Sequence, residues 1–157
     1  MKKLLVMSDT HGHIANIAAA LKCFEDFDII VHLGDNARDA EHIHKMTHKP
    51  IFSVRGNCDL YASAGDELEL HIEGVRILCV HGHKQAVKSS LLRLSLLAGE
   101  KQADLVLFGH THQPRELHSR GVRLYNPGSL GEPRSMRPSL GLVMLDNGTI
   151  RIKTVRL

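Results

Sequence analysis

Lys3-Leu4-Leu5-Val6-Met7-Ser8-Asp9-Thr10-His11 is the stretch on which the fold turns. Four consecutive apolar residues end abruptly in polar ones. A run that short, bounded on both sides, suits a strand buried on both faces. It falls well below the ~18 residues of a membrane span, and below the roughly seven of a signal-peptide core. Immediately after it, Ile14, Ile17, Ala18 and Leu21 recur at i, i+3, i+4 and i+7, the spacing of an amphipathic helix.

The alternation continues outward. Asp28 to Leu33 is a second apolar, β-branched run, Ala40, Ile43 and Thr47 share one face of a second helix, and Pro50 introduces the strand Ile51 to Val54. Strand and helix in turn predict βαβ units and a parallel sheet. Glu67 to Ile72 instead alternates polar with apolar, and Glu73-Gly74 turns it into Val75 to Val80 as a hairpin. Val87 to Ala98 reads as a Leu-rich helix and Asp104 to Phe108 as a buried strand. Arg115 to His118, Val122 to Tyr125, Leu140 to Leu145 and Thr149 to Val155 read as a meander, with Asn147-Gly148 as its strongest turn signal. Parallel strands first and antiparallel strands later predict an α/β fold with two packed sheets and helices outside. The 157 residues suit a single domain spanning 1–157.

Bulk properties exclude several classes. With 43% hydrophobic and 24% charged residues the chain is globular rather than disordered. Its three cysteines, Cys23, Cys58 and Cys79, form no CxxC pair and suggest no disulfide framework. The cytoplasm, where thiols stay reduced, is the expected compartment. The net charge of +3 hides an asymmetry: residues 1–83 carry 8 basic and 12 acidic residues, and residues 84–157 carry 12 and 5. Those bases are dispersed and lack interleaved aromatics, so a nucleic-acid partner is not expected; no membrane partner is expected either.

Chemistry gathers where the strands end. Asp9-Thr10-His11, Gly34-Asp35, Gly56-Asn57-Cys58-Asp59, His81-Gly82-His83 and Gly109-His110-Thr111-His112 each follow a predicted strand. Carboxyl ends of strands in an open α/β sheet form the ligand crevice. Asp-x-His and His-x-His put two donors at i and i+2, which extended backbone would aim the same way. Asp9, His11, Asp35, Asn57, His81, His110 and His112 offer carboxylate, imidazole and amide donors, a mixture suited to divalent metals. Seven donors exceed the needs of one tetrahedral ion and suit two ions sharing a carboxylate. Taken singly each motif has a plainer explanation: Asp9 as a helix cap, Gly-Asp as a turn, His42, His44 and His48 as a wet helix face.

In order and spacing these motifs resemble the calcineurin-like metallophosphoesterase superfamily, and Gly56-Asn57-Cys58-Asp59 with Asn126-Pro127-Gly128-Ser129 resembles its small YfcE-type phosphodiesterase branch. The resemblance implies a four-layer α/β/β/α sandwich of two mixed sheets flanked by helices. It implies that Asp9, His11, Asp35 and His112 hold one metal, that Asp35, Asn57, His81 and His110 hold the other, and that a hydroxide bridging them attacks a small phosphate ester in line. Manganese is the implied metal, with iron, zinc, cobalt or nickel as alternatives. Asp35 and Asn57 thereby become catalytic. Many members carry His directly after the metal-binding Asn, where this chain has Cys58; His83 is the candidate to assist the substrate in its place. Asp59 is expected to hydrogen-bond a ligand or loop amide, His32 to pack, the Asn126–Ser129 segment to be a turn, and Arg134 and Arg137 to be solvated. A non-catalytic scaffold is the competing function, since the eukaryotic retromer scaffold subunit shares this fold. A homo-oligomer is left open.

Overall fold

A computed structural model describes residues 1–24 and 26–157. The first sheet contains β1 (Lys2–Met7), β2 (Ile29–His32), β3 (Ile51–Ser53), β9 (Ser139–Asp146) and β10 (Thr149–Arg156), in the order β10-β9-β1-β2-β3. The second contains β4 (Glu67–Ile72), β5 (Val75–Val80), β6 (Leu105–Phe108), β7 (Pro114–Ser119) and β8 (Val122–Pro127), in the order β4-β5-β6-β8-β7. Both sheets are mixed. β1, β2 and β3 run parallel while β9 and β10 oppose them. β5, β6 and β8 run parallel while β4 and β7 oppose them.

Side-chain alternation along each strand builds the layers. In β1, Leu4 and Val6 enter the core between the sheets, whereas Leu5 and Met7 face the helices. In β5 and β6, Ile77, Cys79, Leu105 and Leu107 meet that same inter-sheet core, and Leu78, Val80, Val106 and Phe108 face the other way. Helix α1 (Ile14–Lys22) covers the first sheet with Ile17 and Ala20, and α2 (Asp39–Thr47) covers it with Ile43. Helix α3 (Leu92–Glu100) covers the second with Leu94 and Ala98. The result is the expected α/β/β/α sandwich. Each fully buried Leu or Ile in these layers contributes about 1.5–3 kcal/mol.

Two expectations need correction. The last four strands are not one meander: β7 and β8 form a hairpin that completes the second sheet, while β9 crosses back to pair with β1 and brings β10 with it. Each sheet needed a neighbour for an otherwise open strand, and the pattern of single strands carries no address for either. The helix expected from Val87 begins only at Leu92. Val87 is instead buried and its amide bonds back to the Gly82 carbonyl at 3.3 Å, while the Ser90 hydroxyl accepts the Leu92 amide at 3.1 Å. Serine side chains compete in this way with helical bonding and favour helix starts. No helix among the described residues is long and apolar enough to cross a membrane.

Candidate metal centre

All seven expected donors meet at one end of the sandwich. The loops after β1, β2, β5 and β6 are stitched together there by backbone bonds, Asp9 N to Gly34 O at 2.9 Å and Gly109 N to His81 O at 2.9 Å. Donor atoms of Asp9, His11, Asp35 and His112 lie within 4.8 Å of one another, as do those of Asp35, His81 and His110. Asp35 belongs to both groups. The Asn57 amide oxygen lies 3.2 Å from His81 Nε2, which joins it to the second. His81 Nε2 is 3.5 Å from Asp35 Oδ2 and 3.2 Å from His110 Nδ1, and His112 Nε2 is 3.1 Å from Asp9 Oδ1.

The i, i+2 pairs do not meet through extended backbone as expected. Asp9, His11, Asp35, His110 and His112 have φ of 52, 46, 57, 67 and 59°, all left-handed. Each such residue costs roughly 1–2 kcal/mol, and backbone of this kind persists where the surroundings over-determine it, commonly at functional sites. The sharp bends also explain why His110 and His112 serve different donor groups.

Bonds around the donors aim them. Ser8 Oγ donates to Asp9 Oδ2 at 2.5 Å and the His110 amide to the same oxygen at 3.1 Å, which leaves Oδ1 facing the centre. The Cys58 amide donates to Asp35 Oδ1 at 3.0 Å and leaves Oδ2 facing inward. His81 Nδ1 sits 2.7 Å from the Leu33 carbonyl and His112 Nδ1 2.6 Å from that of Glu132. A carbonyl only accepts, so both Nδ1 atoms carry protons and both Nε2 atoms are presented to the centre.

Asp9 Oδ1 and His11 Nε2 are buried with no hydrogen-bond partner among the described residues. Buried polar atoms are rarely left so, because an unmet one costs several kcal/mol. Oxygen and imidazole donors converging on a shared carboxylate suit divalent cations, and the donor set fits that chemistry.

The charges agree. Burial works to raise the Asp9 carboxyl, but the His112 ring 3.1 Å from its Oδ1, the charge of His81 and the Ser8 hydroxyl outweigh it and hold it below the usual range. Burial likewise opposes ionisation of Asp35, yet His81, the Cys58 amide and His11 keep it well below that range. Burial would lower His81, but Asp35 and Asp9 raise it; His112 is raised by the Asp9 carboxylate beside it. His110 is pushed down to about 4 by burial, by His81 and by Lys88.

The remaining expectations divide. Asp59 takes no place among the donors and clamps loop amides, as foreseen. His32 is fully buried; its Nδ1 accepts the Gly34 amide, so Nε2 donates to Thr10 Oγ1, which in turn donates to Asp39 at 2.6 Å. His83 stands at the rim, its ring 5.4 Å from that of His81 and 6.1 Å from that of His110, outside both donor groups. Asn126 is more than a turn. It is fully buried at the end of β8, and its amide donates to the Gly109 carbonyl at 2.7 Å and to Thr111 Oγ1 at 3.1 Å. Ser129 Oγ donates to the Asp9 carbonyl at 2.8 Å. No local signal marks these braces, because their targets lie 15 to 120 positions away. A cavity of about 570 Å³ between α2, β3 and the Tyr61–Ala64 loop is lined by none of the seven donors.

The chain resembles known proteins along most of its length. A family profile described as the calcineurin-like phosphoesterase superfamily domain matches residues 1–148. The probable metallophosphoesterase YsnB of Bacillus subtilis is 33% identical over 96% of this chain and 88% of its own length. Phosphodiesterase YfcE of Escherichia coli is 29% identical over 97% of this chain and 91% of its own. The crystal structure of a predicted phosphoesterase from Streptococcus pneumoniae superposes with a TM-score of 0.84 at 25% identity, covering 99% of this chain and 89% of that one. Zinc-bound Vps29 from Entamoeba histolytica shares the fold with a TM-score of 0.78 at 18% identity, covering 98% of each chain.

Proposed function

The chain belongs to the calcineurin-like phosphoesterase superfamily, and from that premise we propose that it is a two-metal-dependent phosphodiesterase hydrolysing small phosphate esters. One observation carries the reading: Asp35 is shared by two donor groups, beside a buried Asp9 oxygen and His11 nitrogen that form no hydrogen bond among the described residues. Asp9, His11, Asp35 and His112 would hold one cation, and Asp35, Asn57, His81 and His110 the other. Manganese is the expected metal. When bound, two such cations neutralise phosphate charge and make water acidic enough to ionise near neutral pH.

The protein's own groups supply placement. The Leu33 and Glu132 carbonyls fix His81 and His112, and the Cys58 amide fixes Asp35, so the donors are set before substrate arrives. His83, whose ring lies 5.4 Å from that of His81 and 6.1 Å from that of His110, would assist the ester at the rim. The Cys58 side chain does not replace the missing imidazole, since burial and Asp35 raise its thiol above the ordinary value and keep it a weak proton donor. The preference for diesters follows the Escherichia coli relative. We read residues 1–157 as one domain working in the cytoplasm. A scaffold role has no feature of its own here, since a scaffold has no need of seven converging donors.

The test is hydrolysis of bis(p-nitrophenyl) phosphate. Turnover should require added manganese and vanish with EDTA. Asp35→Asn should lower bound metal and kcat together, the latter by at least about 100-fold. Folded, manganese-loaded protein that turns over neither diesters nor monoesters would remove the assignment.

A further inference from the structure

Beside the donors lies a second cavity, of about 240 Å³, lined by Lys88, Arg115 and Arg134 together with Thr111 and Gln113. Three cations face it, and among the described residues no acidic one contributes to its lining. None of the three forms an ion pair among the described residues. Cations spread over a surface normally sit apart or beside carboxylates, because like charges repel. Three exposed cations gathered around one hollow raise its positive potential and favour the entry of an anion.

The cavity is tied to the centre from three sides. Lys88 follows Val87, whose amide bonds to Gly82 beside His81. The Arg134 amide donates to the His112 carbonyl at 3.0 Å. Thr111, between His110 and His112, is held by the Asn126 amide at 3.1 Å. The hollow and the donors are therefore parts of one surface, held in fixed relation.

We propose that Lys88, Arg115 and Arg134 form a subsite for a second phosphate group on the substrate, so that the protein prefers phosphoesters carrying an additional anionic phosphate. The inference rests on the phosphoesterase reading. Arginine meets phosphate oxygens through paired N–H donors and lysine through a point charge. Arg115 and Arg134 supply the first kind of contact and Lys88 the second. Three cations in a hollow of this size match one phosphate group rather than a polyanion track.

Two chromogenic diesters that differ by one phosphate test it: the p-nitrophenyl ester of thymidine 5′-phosphate, and the same compound bearing a 3′-phosphate. Manganese-loaded protein should show kcat/KM at least about tenfold higher for the second, and rising salt should shrink that advantage. Lys88→Gln/Arg115→Gln/Arg134→Gln should bring the ratio near one, and Lys88→Gln alone should lower it partway. Arg137→Gln, in the same surface segment but outside the lining, should leave it as it was. A wild-type ratio near one, or a ratio that the triple variant keeps, overturns the subsite while the phosphoesterase reading stands. Absence of turnover on both esters removes that reading instead. Calorimetry of pyrophosphate binding to EDTA-treated protein then decides the subsite by itself: binding at least about tenfold weaker in the triple variant supports it, and equal binding overturns it.

Discussion

Asp59 accepts four backbone amides: those of Asp35 and Gly56 on Oδ2 at 2.9 and 2.8 Å, and those of Asn36 and Ala37 on Oδ1 at 2.9 and 2.8 Å. It thereby locks the loop that carries Asp35 to the loop that carries Asn57. In Asp59→Asn the new NH2 must replace one of the two oxygens, so two amides lose their acceptor whichever way the side chain turns. Unmet buried amides cost about 1–3 kcal/mol each. The expected destabilisation is about 3 kcal/mol by urea unfolding, with a fall in kcat as Asp35 shifts. A loss below about 1 kcal/mol would show that the loops hold themselves. The sequence marked Asp59 as a partner of amides, but could not show that one side chain would serve four of them from two loops.

The β9–β10 hairpin separates two costs that glycine replacement usually mixes. At its tip Asn147 and Gly148 have φ of 46° and 81°, the paired left-handed geometry of a tight hairpin turn. Among the described residues nothing lies within 4 Å of a Cβ added at Gly148, so Gly148→Ala should cost only the backbone strain, about 1 kcal/mol. In the body of β9, a Cβ on Gly141 would come within 2.5 Å of the Tyr125 ring and hydroxyl. Tyr125 is fully buried, and its hydroxyl is engaged with Thr154 at 3.0 Å. Overpacking such a site costs about 1–3 kcal/mol, so Gly141→Ala should lower Tm more than Gly148→Ala. The reverse order would mean that Tyr125 gives way and does not set the spacing of β8 and β9. The turn was readable because Asn-Gly acts locally; the ring against Gly141 was not, because Tyr125 belongs to the other sheet.

Across the whole molecule, an ion cluster on Asp66 joins the two sheets. Arg55, just beyond β3, reaches Asp66 Oδ1 at 2.6 Å, and Lys84, just beyond β5, reaches Oδ2. Bonding to Arg55 and to Lys84 holds the Asp66 carboxyl well below the usual carboxylate range. A group depressed in this way stabilises the fold above its unfolded pKa of ~3.9, and that contribution is lost as pH falls through the folded value. Asp9 and Asp35 are depressed too and act with the same sign. Tm should therefore decline on acidification below about pH 5, and Asp66→Asn should make the decline shallower. Parallel Tm profiles from pH 7 to 3 for the two proteins would show that the cluster adds nothing to the fold.

What the amino-acid order determined is what neighbouring residues decide between themselves. Short apolar runs set the central strands and alternation set Glu67 to Ile72, the i, i+3, i+4 spacing set α1, Asn147-Gly148 set its turn, and a polar donor after each of five apolar runs announced a centre. Only the tertiary structure decided which sheet receives β9 and β10, how Asp35 comes to be shared, and that Asn126 and Ser129 brace the loops behind the donors. The same holds for Lys88, Arg115 and Arg134, which stand far apart in the chain and around one hollow in the fold. These are matters of closing long loops, and their cost and reward depend on how whole layers pack. No window of sequence contains that energy, so no local pattern could have announced it.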